Sequence, residues 1–136
     1  MKKVYVIGIF YVLLVFVLSV LSISLLATAQ GGALDGKTFA GDMAEKGNAK
    51  VDKDELVFKN GKFSSAACEQ YGFGGAPYTA AVSGDTTTFE ADTVSAKEGK
   101  MKWTGTLKGD ELRGTVLWSK EGQAPVEYWF KTELKK

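Results

Sequence analysis

The side chains that carry most enzyme chemistry are scarce in this sequence. Its 136 residues include no histidine and a single cysteine, Cys68. That removes the imidazole base, the His-ligated metal, and the Ser-His and Cys-His nucleophile pairs. One cysteine forms no intrachain disulfide and no thiolate metal cage. Carboxylates remain as candidates for paired acid–base work. However, Asp54, Glu55, Glu90, Asp110, Glu111, Glu127 and Glu133 fall at turns or at outward positions of alternating segments. The expectation is a binding protein without a catalytic centre, metal or cofactor. With 17 Lys+Arg against 16 Asp+Glu the chain is nearly neutral, which argues against a nucleic-acid partner.

Aromatic side chains are the richer resource. Tyr78, Trp103, Trp118 and Tyr128 stand in alternating segments, and Tyr71 and Phe73 sit among the glycines of residues 68–76. Large amphipathic rings beside small residues make an apolar pocket with a few polar handles. The same rings serve equally well as core filler, because an eight-stranded barrel is only just wide enough to be filled by side chains. The stretch 68–76 reads as a lid or rim, or as a connection held by buried aromatic anchors. Its Gly74-Gly75 pair lacks the lysine and helix of a phosphate-cradling loop. Cys68 has no Arg or His nearby to lower its pKa, so it reads as a small apolar residue at a strand end. Trp129, on an outward position beside Lys131, is a candidate partner surface.

The elements that must position these rings are strands. After Gln30 apolar and polar residues alternate, as in Met101-Lys102-Trp103-Thr104 and Tyr128-Trp129-Phe130-Lys131, the pattern of a sheet covered on one face. Eight strands are expected, at 37–43, 54–59, 62–67, 77–83, 86–93, 100–108, 111–119 and 126–134, with no helix among them. Asn60-Gly61 suits a type I′ turn, and Gly84-Asp85 and Gly109-Asp110 suit type II′ turns. These turns set Phe58 opposite Phe63, Ala80 opposite Phe89, and Trp103 opposite Val116, with apolar residues on one face throughout. Gly105 then faces Gly114, leaving a dent for an aromatic ring, Trp103 or Phe89, or for a ligand.

Short turns and long connections alternate, so an up-and-down meander gathers the long loops at one end. Eight strands suffice to close a barrel and remove both sheet edges; an open sandwich is the rival. Leu56, Ala67, Tyr78, Ala91, Met101, Trp118, Val126 and Tyr128 are expected near the long-loop mouth. Phe58, Phe63, Val82, Thr87, Leu107, Leu112 and Leu134 are expected to plug the other end.

The N-terminus carries an address. Lys2 and Lys3 precede an uncharged run from Val4 to Leu26, and Ala27-Thr28-Ala29 is a small-x-small site. Residues 1–29 therefore read as an export signal cut before Gln30, or as a retained membrane anchor, since the run is long enough to span a bilayer. Residues 30–136 form the domain, periplasmic or secreted, and touch a membrane only through an uncleaved 1–29.

Leu34-Asp35-Gly36-Lys37-Thr38-Phe39 resembles the Gly-x-aromatic opening of first strands in calycins: the lipocalins, avidins and fatty-acid-binding proteins. Phe39 stands where that family usually has Trp. The resemblance implies a closed barrel that holds a ligand; the residues themselves point to a small apolar or amphipathic one, with Tyr78, Trp103, Trp118 and Tyr128, and Tyr71 and Phe73 of the 68–76 loop, as contacts. An extracytoplasmic interaction or inhibitor module with a filled core is the alternative.

Overall fold

In a computed structural model, which describes residues 32–136, the domain is a closed antiparallel barrel of eight strands in sequence order. They are β1 (Thr38–Glu45), β2 (Asp52–Lys59), β3 (Lys62–Ser65), β4 (Ala76–Ser83), β5 (Thr86–Ser95), β6 (Gly99–Lys108), β7 (Glu111–Ser119) and β8 (Val126–Leu134). Pairing of β1 with β8, from Phe39 opposite Leu134 to Glu45 opposite Tyr128, closes the cylinder and settles barrel against sandwich. The expected signal or anchor, residues 1–29, lies outside the described residues. Among those described, no helix is long and apolar enough to cross a membrane.

The three tight turns set the register as their residues require. Asn60 and Gly61 take φ of 53° and 73°, and Gly84 and Gly109 take 59° and 61°. Phe58 pairs with Phe63, Ala80 with Phe89, and Trp103 with Val116. Inward residues of all eight strands then pack as one core around Trp103, Phe39, Phe58, Phe63, Phe89 and Phe130. Neighbouring rings meet at tilted or edge-on angles, with Phe58 5.0 Å from both Tyr78 and Phe89 and Trp103 4.9 Å from Phe63. The dent at Gly105 and Gly114 is filled by Phe89, cross-strand from Gly105, and Phe130, cross-strand from Gly114.

Three expectations need correction. First, β3 ends at Ser65, and residues 66–69 form a one-turn helix, α1 (Ala66–Glu69), so Ala67 is not a strand residue. Ser65 caps that turn by accepting from the Cys68 amide at 3.3 Å. Second, Asp54 lies inward, two residues before Leu56 on the buried face of β2, and is 6% exposed.

Third, the strands are strongly staggered, so position along a strand does not report height in the barrel. The rung that begins at Tyr78 runs through Ala91, Trp103, Val116 and Tyr128 to Glu45. Tyr78 donates its backbone amide to Gly61 in the Asn60-Gly61 turn, so this rung starts at the short-turn end and finishes at the open one. Tyr78 is therefore at the closed end, not the mouth. Its hydroxyl accepts from the Leu34 amide (3.0 Å) and donates to Asp35 (2.8 Å), fastening residues 34–36 under the barrel. Val82, expected in the plug, is 57% exposed near the tip of the β4–β5 hairpin; Leu107, Leu134 and Thr87 are only partly buried.

Candidate functional site

The open end holds a cavity of about 480 Å³, within the range of small-molecule sites. Its apolar surface comes from Met43, Cys68, Phe73 and Met101, and its aromatic sides from Tyr71, Trp118 and Tyr128. Asp52, Asp54 and Glu98 are the acidic residues of the lining, and Lys50 and Lys53 the basic ones.

Each part is fixed by a local cause. Asp54 Oδ2 accepts from the Ser65 hydroxyl at 2.5 Å, and Oδ1 accepts from the amides of Ala67 (2.9 Å) and Glu55 (2.7 Å). The carboxylate thus holds the start of α1 against β2. Burial pushes the Asp54 carboxyl above its ordinary range, against the pull of those three donors. Burial likewise raises the Cys68 thiol, which is a buried free cysteine beside Ser65 and Asp54. A thiol so placed is a weak nucleophile.

The segment after α1 is tied to the β5–β6 turn. Ser95 Oγ donates to the Tyr71 carbonyl (2.7 Å) and accepts from the amides of Lys97 (3.3 Å) and Glu98 (3.1 Å). Gly72, at φ 86°, passes so close that a Cβ there would meet Ser95 Oγ at 2.9 Å. Phe73 is buried as an anchor, whereas Tyr71 is 58% exposed at the rim. On the facing side the Trp118 indole N–H donates to the Glu98 carbonyl at 2.6 Å, and Lys120 pairs with the Glu98 carboxylate at 3.3 Å. Tyr128 completes the wall. Its phenol is raised by burial first, then by the charge of Glu45, with Asp52 among the smaller causes.

Of the six residues singled out from the sequence, the cavity therefore brings together Tyr71, Phe73, Trp118 and Tyr128. Tyr78 and Trp103 lie elsewhere. Trp103 is 0% exposed, ringed by Phe63 and Phe130, with its indole N–H on Thr93 Oγ1 at 3.2 Å. The sequence reading missed Asp54, although its spacing from Leu56 is the signal for an inward position. It also missed Met43, at the last expected position of β1, which in fact runs two residues further, and Asp52, which lay in the expected connection because β2 begins two residues earlier than expected.

A second, shallower groove crosses the outer face of β6, β7 and β8, lined by Trp129 with Lys131, Arg113 and Thr115. Trp129 is 36% exposed there. Among the described residues, no group of three or more His, Cys, Asp or Glu side chains is placed to hold a metal ion. Comparison with known proteins finds no matching family model, no matching curated protein and no matching solved structure. The class is defined by architecture alone: an all-β, eight-stranded antiparallel meander barrel with a cup at one end.

Proposed function

We propose that this protein is an exported, lipocalin-like barrel that binds one small amphipathic molecule in its open-end cup and performs no catalysis. The observation that carries the reading is the cup itself. It gathers Trp118 and Tyr128 with Met43, Met101 and Phe73 around about 480 Å³. The closed meander is compatible with the calycin architecture suggested by residues 34–39, although the ligand sits above a filled interior rather than deep inside it. The proposed role is binding because Asp54, the most buried acid of the cup, spends both oxygens on Ser65, Ala67 and Glu55.

The uncharged run from Val4 to Leu26 supports export. Leu34 and Asp35 are fastened at the closed end, so a retained anchor would leave the cup facing away from the membrane. Tryptophan fluorescence of the full-length protein, titrated with lipids and aromatic metabolites, tests the reading. A shift with at least one compound, lost in Trp118→Phe, is expected. No response to any compound would overturn it.

A second reading, an interaction or inhibitor module, is favoured by the packed interior and by Tyr71 standing exposed on the rim. It expects Tyr71→Ala to abolish capture of a partner while leaving thermal stability unchanged.

A further inference from the structure

We propose that the ligand of the open-end cup is an organic ammonium ion carried on an apolar body; this rests on the binding role assigned above. The inference comes from which polar groups of the cup are already occupied. Three of its donors are already engaged. The Trp118 indole N–H is held by the Glu98 carbonyl and the Gln70 amide donates to the Ala67 carbonyl. The Lys53 ammonium is paired with Asp42. What still faces the cavity is complementary to a donor cation. The Trp118 and Tyr128 rings line it, and Asp52 is an exposed carboxylate without an ion pair among the described residues.

Charge points the same way. Lys53 is offset by Asp42 and Glu98 by Lys120, so the lining retains Asp52 and Asp54 against Lys50. Glu45 adds a further carboxylate beside Tyr128, its cross-strand partner. The negative field these acids create is felt at the Tyr128 phenol, which Glu45 and Asp52 both disfavour ionising. A carboxylate or phosphate ligand would meet that field with the Lys50 ammonium and the tyrosine hydroxyls as its donors. An ammonium gains from the field and from the ring faces, while Met43, Met101 and Phe73 receive its apolar part.

Three probes of one shape and different charge decide the matter: phenethylammonium, phenylethanol and phenylpropionate. Each is titrated by calorimetry into the full-length protein at low and high salt. The expected result is binding of phenethylammonium about tenfold tighter than phenylethanol, with phenylpropionate weakest and the cation's advantage shrinking as salt rises. In Asp52→Asn the ratio of the cation's affinity to the alcohol's should fall several-fold. The Asp52 side chain makes no hydrogen bond among the described residues, so this variant should fold normally, which its melting temperature checks. Equal binding of cation and alcohol, or a preference for the anion, overturns the ammonium assignment and leaves the cup a binding site. Failure of all three to bind overturns both.

Discussion

Asp54 and Ser65 meet across the β2–β3 hairpin in a 2.5 Å hydrogen bond at the barrel's open end. Removing the carboxylate leaves the Ser65 hydroxyl and the amides of Ala67 and Glu55 without their acceptor. Asp54→Ala should therefore cost about 2–4 kcal/mol, as several polar groups lose their partner in a buried place. Asp54→Asn keeps an acceptor for the two amides and should cost under about 1 kcal/mol. Denaturant midpoints of the two variants check this ordering.

The same carboxyl makes a pH prediction of unusual sign. Its folded-state pKa is raised, chiefly by burial, so between the unfolded and folded values the native state holds more protons than the unfolded one. Its contribution to stability therefore falls as pH rises through that window, starting at about pH 4, and is flat above it. A paired surface aspartate would show the reverse. Asp54→Asn should remove this falling component, so the wild-type-minus-variant stability difference should decline with pH across the window. A difference that rises with pH would refute the assignment.

Gly105 and Gly114 face one another in the β6–β7 pair, and their missing side chains make room for Phe89 and Phe130. A Cβ at Gly105 would drive into the Phe89 ring and meet Phe130 Cζ at 3.0 Å. A Cβ at Gly114 would meet backbone as well, with Gly105 Cα at 2.7 Å and the Thr104 carbonyl closer still. Both alanine variants should lose about 2–3 kcal/mol or more, with Gly114→Ala the worse. Phe89→Leu should partly rescue Gly105→Ala, because its obstacle is a side chain. It should not rescue Gly114→Ala. A thermodynamic cycle over the four proteins checks the coupling.

The facing glycines were visible in the sequence because turn chemistry and alternation act locally. Asn60-Gly61, Gly84-Asp85 and Gly109-Asp110 each settle a two-residue loop, and the pairs of those three hairpins follow from them. Axial stagger was not visible, because period-two alternation is unchanged when a strand slides by two residues along its neighbour. Tyr78 shows the consequence: its pairing with Ala91 follows from the turn, whereas its height at the closed end does not. Helix α1 is too short to show a helical period, and its cause is a tertiary contact from Asp54 to the Ala67 amide. Asp54 itself sits in the charged stretch Asp52-Lys53-Asp54-Glu55, whose composition suggests solvent while its spacing from Leu56 points inward.

The rim should loosen without disturbing the barrel when Ser95 is replaced. Its hydroxyl joins the Tyr71 carbonyl to the amides of Lys97 and Glu98, bridging the segment after α1 and the β5–β6 turn. Ser95→Ala should cost about 1–2 kcal/mol, since all three partners lose that hydroxyl at once. Amide exchange should quicken at Lys97 and Glu98, and at Gly72 and Phe73, whose amides donate to Glu69 and Cys68 within the released segment. Core amides such as Trp103 should be unaffected. Equal acceleration throughout would mean that Ser95 supports global stability rather than the rim.

At the opposite end, Leu34 and Tyr78 hold the entry of the chain. Leu34 is buried in the core, and its amide donates to the Tyr78 hydroxyl, which in turn donates to Asp35. Asp35 then accepts from the Gly61 amide at 3.0 Å, so one carboxylate links the entering segment to the β2–β3 turn. Tyr78→Phe keeps the ring against Phe58 but deletes the hydroxyl bridge, and should cost about 1 kcal/mol. Leu34→Ala should cost about 2–4 kcal/mol through lost burial and the cavity it leaves. The two changes share a contact, so the double variant should lose less than the sum of the singles. In Tyr78→Phe, limited proteolysis should cut first near residues 32–36, while phenethylammonium binding at the far end stays unchanged. A change in both would show that the two ends of the barrel are coupled and that the cup depends on how the chain enters.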